Sequence, residues 1–186
     1  MSQRFDILPT PLSGLLVLQR KRLGDARGYF ERLYCREELG EVLSGLSIEQ
    51  INHSMTHEAG NVRGLHFQYP PHAECKLVTC LAGEVFDVAV DLRYNSPTFL
   101  QWHAEILSAN NQKTFLIPAG FAHGFQTLTG NCEMLYFHTA VFRPEAESAL
   151  NVLDPKLAIR WPRPVAGLSP RDAGHPMLDD SFKGIA

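Results

Sequence analysis

The chain has 186 residues, of which 45% are hydrophobic and 20% are charged, and its formal net charge at neutral pH is -3. This composition is typical of a soluble globular domain with a sizeable core, and the charge gives no electrostatic case for nucleic acid or an anionic membrane as a partner. The first residues show no sustained apolar run after a basic start, and no stretch approaches the roughly 20 apolar residues of a membrane span. We therefore expect a single cytoplasmic domain covering residues 1–186.

Short strands dominate the predicted secondary structure. The helical signal is best at residues 36–43, REELGEVL, which would make about two turns. Strands are bounded by Asn-, Gly- and Pro-containing turns and are predicted at 15–19, 75–80, 84–92, 102–107, 114–117, 125–129 and 133–138. Many short strands at near-regular spacing predict an all-β sandwich or barrel rather than alternating β/α units.

Three further features bear on the organisation of the chain. In residues 84–92 one face is wholly apolar, whereas the other carries Asp87 and Asp91. The tail from 162 to 186 is irregular and rich in proline, so we expect it to wrap the surface. The four cysteines include no C-x-x-C pair, which favours free thiols over a disulfide framework.

The candidate chemistry begins at His66, in the segment Arg63-Gly-Leu-His66. Gln68 follows it, and Gln50 and Asn52 precede it in similar strand-like sequence. This polar density is unusual in strands that only pack, and inward polar groups in a β-barrel form a small-ligand pocket. The alternative is a core histidine with a backbone partner.

Lys76 and Tyr136 also lie in strand-like sequence. With a histidine, they form a set suited to moving a proton on and off a carbon beside a carbonyl. The alternatives are a solvated edge lysine and a core aromatic residue. His66 is followed by Phe67 and Gln68, so the His-x-His pair common in metal sites on strands is missing, and we predict no metal.

Three more residues have weaker signals. His123 is followed by Gly124 and lies three residues after Gly120, which predicts a tight loop presenting the ring to a cavity, with a structural turn histidine as the equal alternative. Taken alone, Asp172 is typical of a surface loop, and Arg27 has no distinct signal.

From about residue 12 to residue 172 the chain resembles the dTDP-4-dehydrorhamnose 3,5-epimerase family of nucleotide-sugar enzymes. Nine blocks in one order carry the resemblance: DARGYF (25–30), QINHS (50–54), VRGLHFQ (62–68), KLVTC (76–80), GEVFDVAVDLR (83–93), SPTF (96–99), IPAGFAHGF (117–125), DPKLAIRWP (154–162) and LSPRD (168–172). The resemblance implies a cupin-like double-stranded β-helix, a jelly-roll sandwich with a few short helices. It also implies a homodimer that exchanges N-terminal strands and uses neither a metal nor an organic cofactor.

The activity implied is inversion of C3 and C5 in a nucleotide-linked 4-keto-6-deoxyhexose, from dTDP-4-dehydro-6-deoxy-D-glucose to dTDP-4-dehydro-L-rhamnose. Position by position, the family's general base falls on His66, its carboxylate partner on Asp172, its proton donor on Tyr136 and its enolate-stabilising lysine on Lys76. The implied substrate contacts are Arg27, Phe30, Gln50, Asn52, Arg63, His123, Glu147 and Arg171.

Three positions depart from the family pattern, and all concern nucleotide contacts. Arg32 stands where a carboxylate is usual, Phe142 where a second aromatic hydroxyl is usual, and Arg171 where lysine is commoner. The alternatives are therefore an epimerase acting at C3 or C5 only, or one acting on a CDP-, GDP- or otherwise modified 4-keto sugar. A non-catalytic sugar-nucleotide-binding cupin is a further alternative, but mere binding needs neither a base nor an opposed acid. The nucleotide, the pathway and the final sugar stay open at this stage.

Overall fold

The computed structural model describes residues 3–186, which form thirteen strands and two one-turn helices. The strands are β1 (Phe5–Pro9), β2 (Leu16–Arg20), β3 (Leu23–Asp25), β4 (Gly28–Phe30), β5 (Gln50–Thr56), β6 (Val62–Gln68), β7 (Lys76–Ala82), β8 (Glu84–Asp91), β9 (Trp102–Ser108), β10 (Lys113–Ile117), β11 (Phe121–Thr127), β12 (Cys132–His138) and β13 (Glu147–Ala149). The helices are α1 (Arg36–Leu39) and α2 (Pro170–Ala173).

The strands form two large antiparallel sheets. Six strands pair in the order β1-β2-β10-β7-β12-β5, and five pair in the order β13-β6-β11-β8-β9. Buried side chains from both sheets meet in one core, with Val78, Phe115 and Met134 from the first sheet and Ala89 and Phe125 from the second. This is the all-β, cupin-like sandwich that the sequence predicted.

Each sheet is also covered on its outer face. Leu157, and Leu178 and Phe182 from the tail, pack in the cluster that includes Val88 and Val90 of β8, on the outside of the five-stranded sheet. The region of α1 covers Leu77 and other residues of the six-stranded sheet. β8 is therefore buried on both faces, which explains why its predicted polar face carries carboxylates that are themselves buried.

Most predicted strands are confirmed within one or two residues, but two predictions are wrong in part. The helix predicted at 36–43 ends at Leu39, because Gly40 and the turns after it break the helical run. His123 lies inside β11 and not in a loop. Gly124 is needed because β6 and β11 approach closely there, and a Cβ atom at this position would lie 2.6 Å from the carbonyl oxygen of Arg63.

A two-stranded hairpin, β3–β4, stands apart from both sheets. All six of its strand residues are exposed, including Tyr29 at 62% and Phe30 at 61%. Large aromatic side chains on an isolated hairpin are typical of a contact with another molecule.

All four cysteines are free thiols, as predicted. Within residues 3–186, no helix is long and apolar enough to cross a membrane.

Candidate active site

A cavity of about 630 Å³ is lined by strands of both sheets and by the tail. Its walls follow from strand alternation. On β5, Gln50, Asn52 and Ser54 line the cavity. Ile51 and Met55, which alternate with them along the strand, are 58% and 44% exposed on the other face. β6, β11 and β12 supply histidines and a tyrosine to the same space, so the polar strand residues noted in the sequence converge.

His66 and Asp172 are in direct contact, although they are 106 residues apart in the chain. His66 Nε2 lies 2.8 Å from Asp172 Oδ1, and Asp172 is buried. The carboxylate is placed by α2, where Ser169 caps the helix by accepting a hydrogen bond from the Asp172 amide at 3.0 Å and Pro170 occupies the first helical position. The tail loop that looked like surface in the sequence is thus a wall of the cavity.

The environment of His66 keeps its imidazole neutral. Burial lowers the pKa of His66 below its ordinary value, and the hydrogen bond that His66 donates to Asp172 opposes that effect without overcoming it. With Nε2 on Asp172, the other ring nitrogen, Nδ1, has no hydrogen-bond partner among the described residues. A neutral ring with a free Nδ1 is a competent proton acceptor.

Lys76 is buried and belongs to a charge network that sequence reasoning missed. Its Nζ lies 3.0 Å from Glu74 Oε1 and 3.5 Å from the backbone oxygen of His66. The other Glu74 oxygen lies 2.9 Å from His138 Nδ1. Burial acts to raise the pKa of Glu74, but hydrogen bonding to His138 and the charge of Lys76 outweigh it and leave that pKa lowered.

The signal for these two residues was their spacing from residues already singled out. His138 follows Tyr136 by two residues on β12 and so shares its strand face, whereas Glu74 lies two residues before Lys76, just ahead of β7. His138 also stacks on Tyr136, with ring centroids 6.1 Å apart, and its Nε2 lies 3.3 Å from Asn52 Nδ2.

Tyr136 lies on the wall opposite His66, because β12 belongs to the six-stranded sheet and β6 to the five-stranded sheet. Its hydroxyl lies 3.1 Å from Ser54 Oγ. Burial raises the pKa of Tyr136 well above its ordinary value, despite the hydrogen bond with Ser54. The phenol is therefore protonated at neutral pH and can donate a proton.

His123 forms a second buried histidine–carboxylate pair with Asp87, with Nε2 and Oδ1 2.9 Å apart. Burial raises the pKa of Asp87 above its ordinary value, and the contact with His123 opposes this. The His123 ring lies edge-on to Tyr136 with centroids 6.3 Å apart. His123 therefore lines the cavity, as predicted, although it does so from a strand.

The remaining predicted contacts divide into two groups. Five line the cavity with the residues described above, namely Gln50, Asn52, Arg63, Glu147 and Arg171. Arg63 is held by Thr56, whose Oγ1 accepts from its Nε at 3.0 Å, and Arg171 forms an ion pair with Glu147. Arg27 and Phe30 do not reach this cavity and instead border a separate depression on the hairpin.

Near His66 and Asp172, the tail adds a second histidine that inspection of the strand alone did not reveal. His175 lies close to His66 and Asp172, and one ligand atom from each of the three falls within 4.8 Å of the others. The prediction of no metal considered only residues following His66 on its own strand. The absence of a His-x-His pair is correct, but a two-histidine, one-carboxylate group nevertheless exists.

Comparison with known proteins agrees with this geometry. A family model described as dTDP-4-dehydrorhamnose 3,5-epimerase matches residues 9–180. The chain belongs to this family. Its members are isomerases, and the enzyme class predicted from the sequence is confirmed.

Individual relatives are similar over nearly their whole length. A dTDP-4-dehydrorhamnose 3,5-epimerase from Salmonella typhimurium is 41% identical over 178 residues, covering 95% of this chain and 97% of the relative. A crystal structure of the dTDP-6-deoxy-D-glucose-3,5-epimerase from Legionella pneumophila, in complex with dTDP-4-keto-L-rhamnose, is 40% identical with a TM-score of 0.91 and 98% coverage of both chains. A 4-keto-6-deoxy sugar epimerase from the novobiocin biosynthetic gene cluster of Streptomyces spheroides is 33% identical with a TM-score of 0.88, covering 93% of this chain and 87% of that one.

Proposed function

We propose that this protein inverts C3 and C5 of dTDP-4-dehydro-6-deoxy-D-glucose to give dTDP-4-dehydro-L-rhamnose. One observation carries the proposal: a neutral histidine base held by a buried carboxylate faces, across one cavity, a phenol that stays protonated. An acid and a base on opposite sides of a substrate are what inversion of a carbon centre requires. The family's epimerases, including the Salmonella relative, support the substrate class.

The first step is removal of a proton from carbon. The C4 ketone acidifies the hydrogens on C3 and C5, and His66 Nδ1 accepts one of them. Asp172, on Nε2, fixes the tautomer that leaves Nδ1 free and stabilises the imidazolium that forms. Lys76 supplies positive charge for the developing enolate oxygen, and Glu74 holds its ammonium group in place.

The second step returns a proton to the opposite face. Tyr136 donates its phenolic proton to the carbon and so inverts it. Afterwards the phenolate takes a proton from solvent and the His66 imidazolium releases its proton to solvent, which resets both groups. Because burial keeps the pKa of Tyr136 high, the phenolate is a strong base and is readily reprotonated. Repeating the cycle at the second carbon requires the ring to flip or rebind.

The nucleotide diphosphate acts as a handle for that repositioning. Arg63 and Arg171 supply guanidinium groups at the cavity, and guanidinium favours paired hydrogen bonds to phosphate. Gln50, Asn52 and Glu147 add polar contacts, and His123 completes the lining. Remote binding of this kind orients the reacting carbon.

A homodimer completes the site in this proposal. The exposed Ile51 and Met55 of β5 and the projecting hairpin provide apolar surface for a second copy, and the single domain of residues 1–186 would exchange its N-terminal strands. Arg27 and Phe30 would then reach the partner's cavity and contact the nucleotide.

The four free thiols fit a reducing compartment, so we place the enzyme in the cytoplasm.

We expect the double variant Arg27→Ala/Phe30→Ala to raise KM by roughly 10-fold or more, since a hydrogen bond to a charged group is worth about 1.5–3 kcal/mol. Lys156→Ala is the control, because this basic side chain pairs with Asp180 on a different surface, away from both the hairpin and the cavity. Steady-state kinetics would measure KM, and light scattering would confirm that each variant is still a dimer.

Co-expression distinguishes exchange between subunits from a contact within one subunit. A heterodimer of the double hairpin variant and His66→Asn has one intact site only if the hairpin serves the partner. A random mixture should then recover about a quarter of the wild-type sites, because half of the dimers are mixed. No recovery would show that the hairpin does not cross to the partner.

The departures at Arg32 and Phe142 lead to a prediction about which nucleobase the protein prefers. Phe142 lines the cavity without a hydroxyl, and Arg32 is engaged by Glu38 outside it. With fewer buried hydrogen bonds to the edge of the nucleobase, a nucleotide with a different nucleobase leaves fewer buried protein groups without a hydrogen-bond partner. We expect calorimetric titration to favour dTDP over UDP, CDP and GDP by less than about 100-fold, roughly 2.7 kcal/mol. Phe142→Tyr should increase that preference.

A dTDP preference above this limit in the wild-type protein would show that the two departures do not loosen the site. A clear preference for another base would assign the protein to a different nucleotide sugar while leaving the proton chemistry intact.

Deuterium incorporation tests the whole proposal. Incubation with dTDP-4-keto-6-deoxyglucose in D2O should place deuterium at both C3 and C5, with both centres inverted, as read by NMR. Exchange at one carbon alone would identify a mono-epimerase. This alternative stays relevant because the Streptomyces spheroides relative is described as a 4-keto-6-deoxy sugar epimerase without the carbons being specified. Binding without exchange would identify a non-catalytic sugar-nucleotide-binding protein.

A further inference from the structure

His175 has no assigned part in the proton chemistry, yet it is placed beside it. Its Nε2 atom is buried and has no hydrogen-bond partner among residues 3–186. That atom lies 3.9 Å from Asp172 Oδ1, the same oxygen that His66 Nε2 contacts at 2.8 Å. A buried ring nitrogen without a partner is costly, so its orientation toward the carboxylate calls for an explanation.

We propose that His66, Asp172 and His175 form an inhibitory site for a divalent transition-metal ion such as Zn²⁺. The ion would not take part in the reaction. Its binding would switch off the base, a consequence that rests on the proposed role of His66.

The ligand geometry suits such an ion. Zinc binds imidazole nitrogen and carboxylate oxygen at about 2.0–2.2 Å, which places tetrahedral ligands roughly 3.3–3.5 Å apart. The two contacts of Asp172 Oδ1, at 2.8 and 3.9 Å, bracket that spacing, and all three ligand atoms lie within 4.8 Å. Two imidazoles and one carboxylate favour zinc, cobalt, nickel or copper over magnesium or calcium. The cavity beside His66 leaves room for a water as the fourth ligand.

Inhibition follows from the tautomer of His66. In the active arrangement Nε2 carries the proton shared with Asp172, and Nδ1 is the acceptor. A metal ion bound at Nε2 needs the lone pair of that atom, so the proton of the neutral ring moves to Nδ1. The ring keeps the same number of protons but loses its free acceptor, and Asp172 is drawn to the metal.

Zinc titration of four EDTA-treated and dialysed proteins tests the site: wild type, His175→Ala, His175→Gln and His53→Ala. His53 is the control because it is a surface histidine 3.1 Å from the Glu133 carboxylate, the kind of pair that binds zinc without reaching the cavity. We expect all four to epimerise without metal. Zinc should inhibit wild type and His53→Ala, whereas the His175 variants should need at least about 10-fold more zinc for half-inhibition, since even a lost second-shell contact costs 10–100-fold in metal affinity.

Calorimetric titration of zinc without substrate gives a readout that does not depend on activity. Wild type should bind one ion tightly, in addition to any weak binding at surface pairs such as His53–Glu133, and His66→Asn and His175→Gln should each bind the tight ion at least about 10-fold more weakly. The proposal is overturned if wild type binds no zinc, or if the His175 variants are inhibited at the wild-type zinc concentration. Zinc binding to a protein that performs no epimerisation would instead reject the proposed function alone.

Discussion

His66→Asn is expected to abolish deuterium exchange at C3 and C5 while leaving the fold intact. Asparagine is close in size and can still hydrogen-bond Asp172, but it cannot accept a proton in place of Nδ1. A positioned general base contributes roughly 10²–10⁴-fold, so exchange should fall by about that factor or more. His66→Ala should behave in the same way.

NMR in D2O measures the loss directly, and calorimetric binding of dTDP shows whether the pocket survives. His53→Asn serves as the matched control, because that histidine lies on the other face of β5 from the cavity-lining residues. Exchange at the wild-type rate in either His66 variant would remove His66 from the role of base.

Tyr136→Phe is expected to reduce epimerisation by about 10²–10⁴-fold while affecting solvent exchange much less. When the Tyr136 hydroxyl is lost, His66 still removes the proton from carbon and returns deuterium to the same face of the sugar. The substrate should therefore be recovered with deuterium and with unchanged configuration. The variant removes only the hydroxyl that contacts Ser54 at 3.1 Å, so the cavity keeps its shape.

Following product formation and deuterium content in one reaction separates these outcomes. Tyr34→Phe is a suitable control, because Tyr34 stacks on Phe137 outside the cavity at 5.9 Å. An equal fall in exchange and in product formation would mean that Tyr136 positions the substrate and does not donate the proton.

The fold could be predicted from the sequence where the hydrophobic pattern has a clear period. β8 alternates over its full length, and its bounds agree with the structure within one residue, although its burial on both faces depends on the tail. β11 was placed too late in the chain because glycine on either side of His123 is typical of a loop. Gly124 is required by close packing between two strands, a tertiary constraint that local sequence does not show.

The residues of the site also divide into those that local sequence reveals and those that depend on tertiary contacts. The strand residues His66, Lys76 and Tyr136 were recognisable as polar groups in β-sequence, and the structure brings all three to one cavity. Asp172 was recognisable only through the family resemblance, because nothing local marks a loop carboxylate that becomes buried. His175 was not singled out at all, since its importance depends on a contact between the tail and β6.

The hydrogen bond between His66 and Asp172 also bears on when the enzyme acquires activity during its synthesis. It closes a loop of 106 residues, and Asp172 follows every strand of both sheets in the chain. Long-range contacts of this kind form late in folding, because the entropy cost of closing the loop must be met before the contact contributes any stabilisation. A nascent chain with both sheets assembled would have a cavity, a tyrosine and an unpartnered histidine. Turnover would begin only when the segment that carries Asp172 docks, so the earliest activity of a refolding sample should report tail docking rather than sheet formation.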